Sequence, residues 1–232
     1  MKICIVIPTY NERENIRQIV EGIREYVSKD KAKILFVDDN SPDGTAKEAA
    51  KYGKEGVYIL KRDKKEGLGK AYTAGFTYAL KKFNPEIVFE MDADCSHPTD
   101  KIPLMIKELG RNDLVIGSRY VDGGGIIGWN RKRRFVSRVG NSLARLCCGL
   151  SQKDCTSGFR AMKAEALKKI GLKELSLKGY AFQIELLKRA KESGARIKEI
   201  PIVFNDRKKG KSKLGAKDFK EFLFYCIKNV SS

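Results

Sequence analysis

Asp92-Ala93-Asp94 carries the sharpest chemical signature in the sequence. Alternate carboxylates directly after an apolar run can jointly hold a hard divalent cation. Mg²⁺ typically takes one or two carboxylates and fills its shell with phosphate and water. A solvated turn or a helix cap is the competing reading. Asp38-Asp39 ends another apolar run. A carboxylate there can accept hydrogen bonds from a base or a ribose, but Asn40–Thr45 has turn chemistry and Asp43 can cap a following helix. One of the two acids is expected to bind ligand and the other to be structural. Gly67-Leu68-Gly69-Lys70 can bring backbone N–H groups to a phosphate. It has neither P-loop spacing nor the dinucleotide fingerprint, and the plain start of a helix fits it as well.

The cations form two clusters. Arg131–Arg138 and Arg207–Lys213 each hold five basic residues and no acid. Arginines there could clamp phosphates through bidentate hydrogen bonds; a solvated face is the plain alternative. Basic residues beside an apolar helix face also suit an anionic membrane, at about 1 kcal/mol per residue near the headgroups. His97 is a loop residue beside the Asp-x-Asp. Glu185 is either an acid/base or an exposed helix position, and Trp129 belongs to a lipid interface or to the core. The cysteines read as core thiols.

These residues need a scaffold. Ile3–Ile7, Ile34–Val37, Val57–Leu60, Ile87–Met91 and Leu114–Gly117 read as short strands that are apolar on both faces. Helical spacing appears over Asn11–Val27, about Lys70–Phe83 and after Pro98. Strands alternating with helices predict an α/β fold with a mainly parallel sheet covered by helices. Ligands in such sheets bind beyond the carboxyl ends of the strands. Thr9, Tyr10, Asp38, Asp39, Asp92, Asp94, Ser118 and Arg119 all follow strands and should converge on one crevice. After Arg119 the pattern changes. A mobile, basic segment over Val121–Arg138 is expected to lead into a helix near Ser137–Cys148. A helix over Tyr180–Ser193, a strand over Arg196–Phe204 and a basic loop over Asn205–Gly215 come next. A last helix, about Ala216–Val230, places Phe219, Phe222, Leu223, Cys226, Ile227 and Val230 on one stripe. The expected organisation is a main domain over 1–215 and an amphipathic helix over 216–232 suited to a membrane interface.

Composition narrows the partners. Of 232 residues, 47 are Lys or Arg and 29 are Asp or Glu, a formal net charge of +18. An anionic partner follows: nucleic acid, phospholipid or a phosphorylated substrate. The six cysteines have no framework spacing, which fits a reduced compartment. A single histidine argues against His-rich metal sites and a His-based triad. No stretch is apolar for the roughly 18 residues a membrane span needs, and the start does not read as a signal peptide. A soluble or peripheral protein is expected. A nucleic-acid binder would need one continuous basic stripe with aromatics or a recognition helix.

In order, IPTYNERENI (7–16), VDDNSPDGT (37–45), EGLGKA (66–71), MDADCSHP (91–98), IGSRYVDGGG (116–125), TSGFRAMK (156–163), GYAFQIELL (179–187) and IPIVFNDRKKGKSKLG (200–215) span nearly the whole chain. In these stretches the sequence resembles the family 2 glycosyltransferases of GT-A fold, and within them the dolichol-phosphate mannose synthases and their polyprenyl-phosphate relatives.

The resemblance implies an inverting transfer of mannose from GDP-mannose to dolichyl or another polyprenyl phosphate. By motif position, Pro8, Tyr10, Glu12 and Asp39 line the nucleotide site. Asp92 and Asp94 meet the metal, Mg²⁺ or Mn²⁺, and the diphosphate. Arg119, Arg133, Arg207 and Lys213 meet donor and acceptor phosphates, and Ser157 and Gly158 shape the acceptor mouth. Asp94, Arg119 and Arg207 are the residues expected to carry catalysis. Ser96 stands where some relatives have Gln. An acceptor phosphate is already anionic, so no base is assigned, and catalysis is positioning and charge stabilisation. The same resemblance places the chain peripherally at the cytoplasmic face of a membrane, alone or with a small membrane-anchoring subunit. Some relatives continue into transmembrane helices beyond the point where this sequence stops, at Ser232. A glucosyltransferase using UDP-glucose, with dolichyl or undecaprenyl phosphate as acceptor, is the alternative within the same fold.

Overall fold

The structure, a computed structural model, describes residues 2–177, 179, 181–206, 221–222 and 224–227. Nine strands and seven α-helices are assigned among them. In chain order they are β1 (Ile3–Thr9), α1 (Ile16–Tyr26), β2 (Ala32–Asp38), α2 (Thr45–Ala50), β3 (Val57–Lys61), α3 (Leu68–Lys82), β4 (Ile87–Glu90) and α4 (Ile102–Glu108). Then follow β5 (Leu114–Ser118), β6 (Gly125–Ile127), α5 (Arg131–Cys148), β7 (Arg160–Lys163), α6 (Ala164–Lys169), α7 (Ala181–Glu192), β8 (Ile197–Pro201) and β9 (Val203–Asn205).

Seven strands form one sheet in the order β3-β2-β1-β4-β7-β5-β8. All pairs are parallel except those of β7, which runs antiparallel to both β4 and β5. The continuous apolar runs have a simple cause: helices cover both faces, so every side chain of a central strand is buried. Along β1, Cys4 and Val6 enter one core layer while Ile3, Ile5 and Ile7 enter the other. Pro8 lies inside β1 rather than ending it. Pairing of β1 with β4 stops at Val6–Glu90, so Pro8 owes no amide hydrogen to that neighbour.

Amphipathic periodicity explains the helices. Ile16, Ile19, Val20 and Ile23 of α1 are buried on one stripe, each contributing about 1.5–3 kcal/mol of apolar burial. In α3, Gly75 lies so close to β1 and β2 that an added Cβ would collide with Val6 and Val37.

Three expectations need correction. The basic run Arg131–Arg134 is not a mobile lead-in but the first turn of α5, because Asn130 caps the helix by accepting the Arg133 amide hydrogen at 2.8 Å. The strand expected over Arg196–Phe204 is two strands. Ile202 interrupts them, its amide donating to Ser118 O at 3.0 Å, and β9 pairs in parallel with β6 in a separate small sheet. On the C-terminal stripe, Phe222 and Cys226 are buried but Ile227 is exposed. The rest of that helix and the basic loop 207–215 lie outside the described residues.

Candidate active site

In the strand order, β1 and β4 are neighbours whose following connections leave in opposite directions, β2 on one side and β7 and β5 on the other. A crevice opens at such a point, beyond the carboxyl ends of the strands. Thr9, Tyr10, Asp38, Asp39, Asp92 and Asp94 stand there, as expected from sequence. β7 is antiparallel, so its start lies at this same edge and brings in the preceding residues 154–159. Nothing in the alternation of strands and helices announced β7.

The two acids at the end of β2 are held differently. Asp38 is buried; it accepts from Thr9 Oγ1 at 3.2 Å and from the Ser41 amide at 3.1 Å, and so closes the turn. Asp39 instead faces Arg62 at 2.5 Å, and Arg62 also holds Glu66. Burial raises the Asp39 carboxyl above its ordinary range, against the pull of Arg62. Asp43 ties the loop after β1 to the turn after β2, accepting from the Arg13 amide at 3.1 Å and the Thr45 amide at 2.9 Å. Thr45 Oγ1 in turn accepts the Glu12 amide at 3.0 Å, and the Lys65 ammonium sits 4.2 Å from the centre of the Tyr10 ring.

Asp92 and Asp94 are each held by uncharged donors. Tyr72 Oη donates to Asp92 Oδ1 at 3.2 Å, and the Asp92 amide donates to His97 Nδ1 at 3.1 Å. Ser96 donates to Asp94 Oδ1 through both its amide and its hydroxyl. Ser96 therefore holds Asp94. Gly158 borders the pair: a Cβ there would stand 3.4 Å from both Asp92 carboxylate oxygens. Among the described residues, no group of three or more His, Cys, Asp or Glu side chains could hold a metal ion. The two carboxylates of Asp92 and Asp94, held by uncharged groups, fit a cation of the Mg²⁺ type that takes one or two carboxylates and completes its shell from a ligand's phosphates and water.

Behind the Asp-x-Asp lies a buried polar cluster that the sequence did not announce. Glu90, Arg160 and Gln183 are fully buried, with Gln183 Nε2 donating to Glu90 Oε1. Arg160 donates to Gln183 O and Cys155 O, each at 2.8 Å. Burial pushes the Glu90 carboxyl up to about 8. The only advance signal was an acid and an arginine inside otherwise apolar strands.

On the other side of the crevice the cations are paired. Arg119 forks onto Asp154 through Nε and Nη2, both at 2.7 Å, and donates to Thr156 Oγ1 at 2.9 Å. A phosphate would reach Arg119 only in competition with Asp154. Arg133 bonds both Asp206 oxygens and lies 4.0 Å from the Trp129 ring centre. Trp129 is half-buried and meets Phe204 edge-on, so it packs against β9. Ser157 Oγ donates to Gly117 O at 2.6 Å and fixes the loop beside Gly158. Gly69 is buried with Leu177 O and Phe182 where its side chain would be, so the glycine before Lys70 serves packing. Glu185 is buried, not exposed; it accepts the Ser176 and Leu177 amides at 3.0 Å. Arg207 and Lys213 lie outside the described residues.

Residues 4–171 match the family model for glycosyl transferase family 2. The chain belongs to glycosyl transferase family 2. Among curated relatives, it is 39% identical over 216 residues to an undecaprenyl-phosphate mannosyltransferase of Micrococcus luteus, covering 92% of this chain and 88% of the relative. It is 40% identical over 224 residues to a polyprenol monophosphomannose synthase of Mycolicibacterium smegmatis, covering 95% and 83%. Among solved structures, glucosyl-3-phosphoglycerate synthase of Mycobacterium tuberculosis, with Mn²⁺, UDP and phosphoglyceric acid, superposes with a TM-score of 0.71 at 20% identity, covering 97% of this chain and 78% of that one. A mannosyltransferase of Pyrobaculum calidifontis with GDP-Man and Mn²⁺ superposes at 0.66 with 19% identity, covering 98% and 64%. These two likenesses establish the family 2 scaffold as a GT-A type α/β fold.

Proposed function

We propose that this family 2 enzyme transfers mannose from GDP-mannose to the phosphate of a polyprenyl lipid such as dolichyl phosphate, with inversion at the anomeric carbon. The observation that carries the reading is identity near 40% along more than nine-tenths of the chain to enzymes named for polyprenyl-phosphate mannose transfer. The crevice supports it. Asp39, Tyr10, Glu12 and Pro8 stand at the ends of β1 and β2 for the nucleoside. Asp92 and Asp94 stand at the next strand for the diphosphate and a divalent cation, Mg²⁺ or Mn²⁺. That cation, when bound, would neutralise charge developing on the leaving diphosphate.

The chain's own groups do the rest. The acceptor phosphate is its own nucleophile, so the site needs no base. His97 and Glu185 fit this: one accepts the Asp92 amide and the other two loop amides, so neither is available as one. Arg207 and Lys213 supply positive charge to the phosphates, and Arg133, paired with Asp206, holds the loop beside them. Arg119, with Asp154 and Thr156, holds the 154–158 loop that carries Ser157 and Gly158 to the acceptor side. A peripheral seat on an anionic membrane suits a lipid acceptor. Its support is α5, where Phe135, Val136 and Leu146 are exposed among Arg131, Lys132, Arg134 and Arg138. Among the described residues, no helix is long and apolar enough to cross a membrane.

The test is transfer of labelled mannose from GDP-mannose to dolichyl phosphate in detergent, with Mg²⁺ or Mn²⁺ and an EDTA control. Label in a mild-acid-labile lipid, lost with EDTA, is the expected result. Transfer from UDP-glucose instead would overturn the donor assignment.

A further inference from the structure

The Asp92 carboxylate is met from two sides by buried groups to which the reaction assigns no task. Tyr72, on α3, is fully buried between Phe76 and Phe182, with ring centres 5.5 and 5.9 Å away. A phenylalanine would fill the same space. A buried hydroxyl is costly unless it is bonded, and the hydrogen bond found for this one is to Asp92 Oδ1. His97 approaches from the opposite oxygen. Its ring is buried, stacked on Phe159 at 5.0 Å and edge-on to Phe204 at 6.0 Å. An imidazolium has no lone pair to accept with, so a ring that accepts is neutral. Because Nδ1 accepts the Asp92 amide hydrogen, the ring proton sits on Nε2. Nε2 lies 3.7 Å from Asp92 Oδ2, too long for a hydrogen bond but with its N–H dipole beside the carboxylate.

We propose that Tyr72 and His97 are positioning residues that clamp Asp92 from two sides, backbone and carboxylate together, and keep its exposed side turned to the crevice. This rests on the reading that Asp92 meets the divalent cation. Tyr72 donates to the carboxylate and His97 accepts from the Asp92 amide; both groups are uncharged and both rings are locked by aromatic packing. The clamp therefore fixes the carboxylate without cancelling its charge, which an arginine in the same place would do. Partners that orient a metal ligand from behind are typically worth about 10–100-fold in metal affinity or activity.

The experiment titrates Mn²⁺ into the full chain with GDP present and follows free Mn²⁺ by electron paramagnetic resonance, alongside thermal unfolding. Four variants are compared with the parent: Tyr72→Phe, His97→Gln, Asp92→Asn, and Tyr78→Phe as a control phenol on the same helix. Tyr72→Phe should weaken Mn²⁺ binding about tenfold. It should also raise the metal needed for half-maximal activity while saturating metal restores most of kcat. His97→Gln keeps a donor near the Nε2 position and should lose less. Tyr78→Phe should bind as the parent does. Parent-like Mn²⁺ binding by Tyr72→Phe, whatever its melting temperature, would overturn the clamp, provided Asp92→Asn has lost binding. Unchanged binding by Asp92→Asn would remove the metal reading itself, and the clamp with it. His97→Gln need not fold for the Tyr72 result to decide.

Discussion

The two sides of the crevice hold their charged groups by opposite means. On the β1-β2-β4 side, Asp38, Asp43, Asp92 and Asp94 are fixed by hydroxyls, backbone amides and a neutral imidazole. On the β5-α5 side, Arg119 is fixed by Asp154 and Arg133 by Asp206. A neutral donor orients a carboxylate and leaves its charge in place for a cation. An ion pair orients an arginine by cancelling much of its charge. The first side is therefore built to bind charge, and the second uses charge mainly to hold its own loops. Asp39 with Arg62 is the exception on the first side.

Substitutions on the two sides should fail in different ways. Asp92→Ala should cost the largest factor in activity, about 10²–10³-fold or more in sugar transfer, because developing charge on the leaving group loses its anchor. Its melting temperature should fall only modestly, since Asp92 is partly exposed and the stability lost is that of one buried Tyr72 hydroxyl left without its acceptor, about 1–3 kcal/mol at most. Equal loss of stability and activity would break the comparison. Asp154→Ala should do the reverse. Both side chains of the pair are buried, 8% exposed for Arg119 and 0% for Asp154. Removing one partner leaves an uncompensated buried charge, at about 3–5 kcal/mol. Denaturant unfolding would measure it, and a loss below about 1 kcal/mol would show the pair to be wet.

The first side was the more legible in sequence. Each of its strands is an apolar run closed by the residues of the site, so period, boundary and chemistry coincide over Ile3–Tyr10, Ile34–Asp39 and Ile87–Asp94. The second side hid its structure for physical reasons. β7 has Arg160 and Lys163 at its ends, and a four-residue strand shows too few residues for alternation to appear. Arg131–Arg134 read as a loop because its four cations mask the helix that Asn130 starts. The partners of Arg119 and Arg133 lie 35 and 73 residues away in sequence. No spacing rule reaches them. The Tyr72 contact with Asp92 was equally invisible, since only the packing of α3 on the sheet brings the phenol to the strand end.

A third effect is smaller and depends on pH. Asp113 joins the far ends of β5, β7 and β8. It accepts from Arg196 Nε at 2.9 Å and Nη2 at 3.1 Å, and from Lys163 Nζ at 3.1 Å. The Arg196 hydrogen bonds hold its carboxyl well below the usual carboxylate range. A depressed folded-state value means the stabilisation is fully present above the unfolded value, near pH 4, and is lost as pH falls further. Water reaches this cluster, which screens it to about 1 kcal/mol. Asp113→Asn should thus be less stable than the parent at pH 7, and the gap should narrow progressively as pH falls below 4. A gap that does not narrow as pH falls below 4 would assign the loss to packing rather than charge.

The smallest expected effect returns to the first side. Its three loops each turn through a left-handed residue immediately past a site position: Asn11 at φ 58° after Tyr10, Asn40 at φ 59° after Asp39, and Cys95 at φ 59° after Asp94. Asparagine tolerates that conformation because its short amide can bond locally, whereas cysteine has no such compensation. Cys95→Gly should therefore relieve strain and stabilise the fold by up to about 1 kcal/mol. Glycine also frees the unfolded chain, which subtracts from the gain. The same freedom should loosen the Ser96 hold on Asp94, so the variant should melt higher while transferring sugar more slowly. A variant both more stable and fully active would show that the strained turn has no part in aiming the carboxylate, and that Ser96 alone suffices.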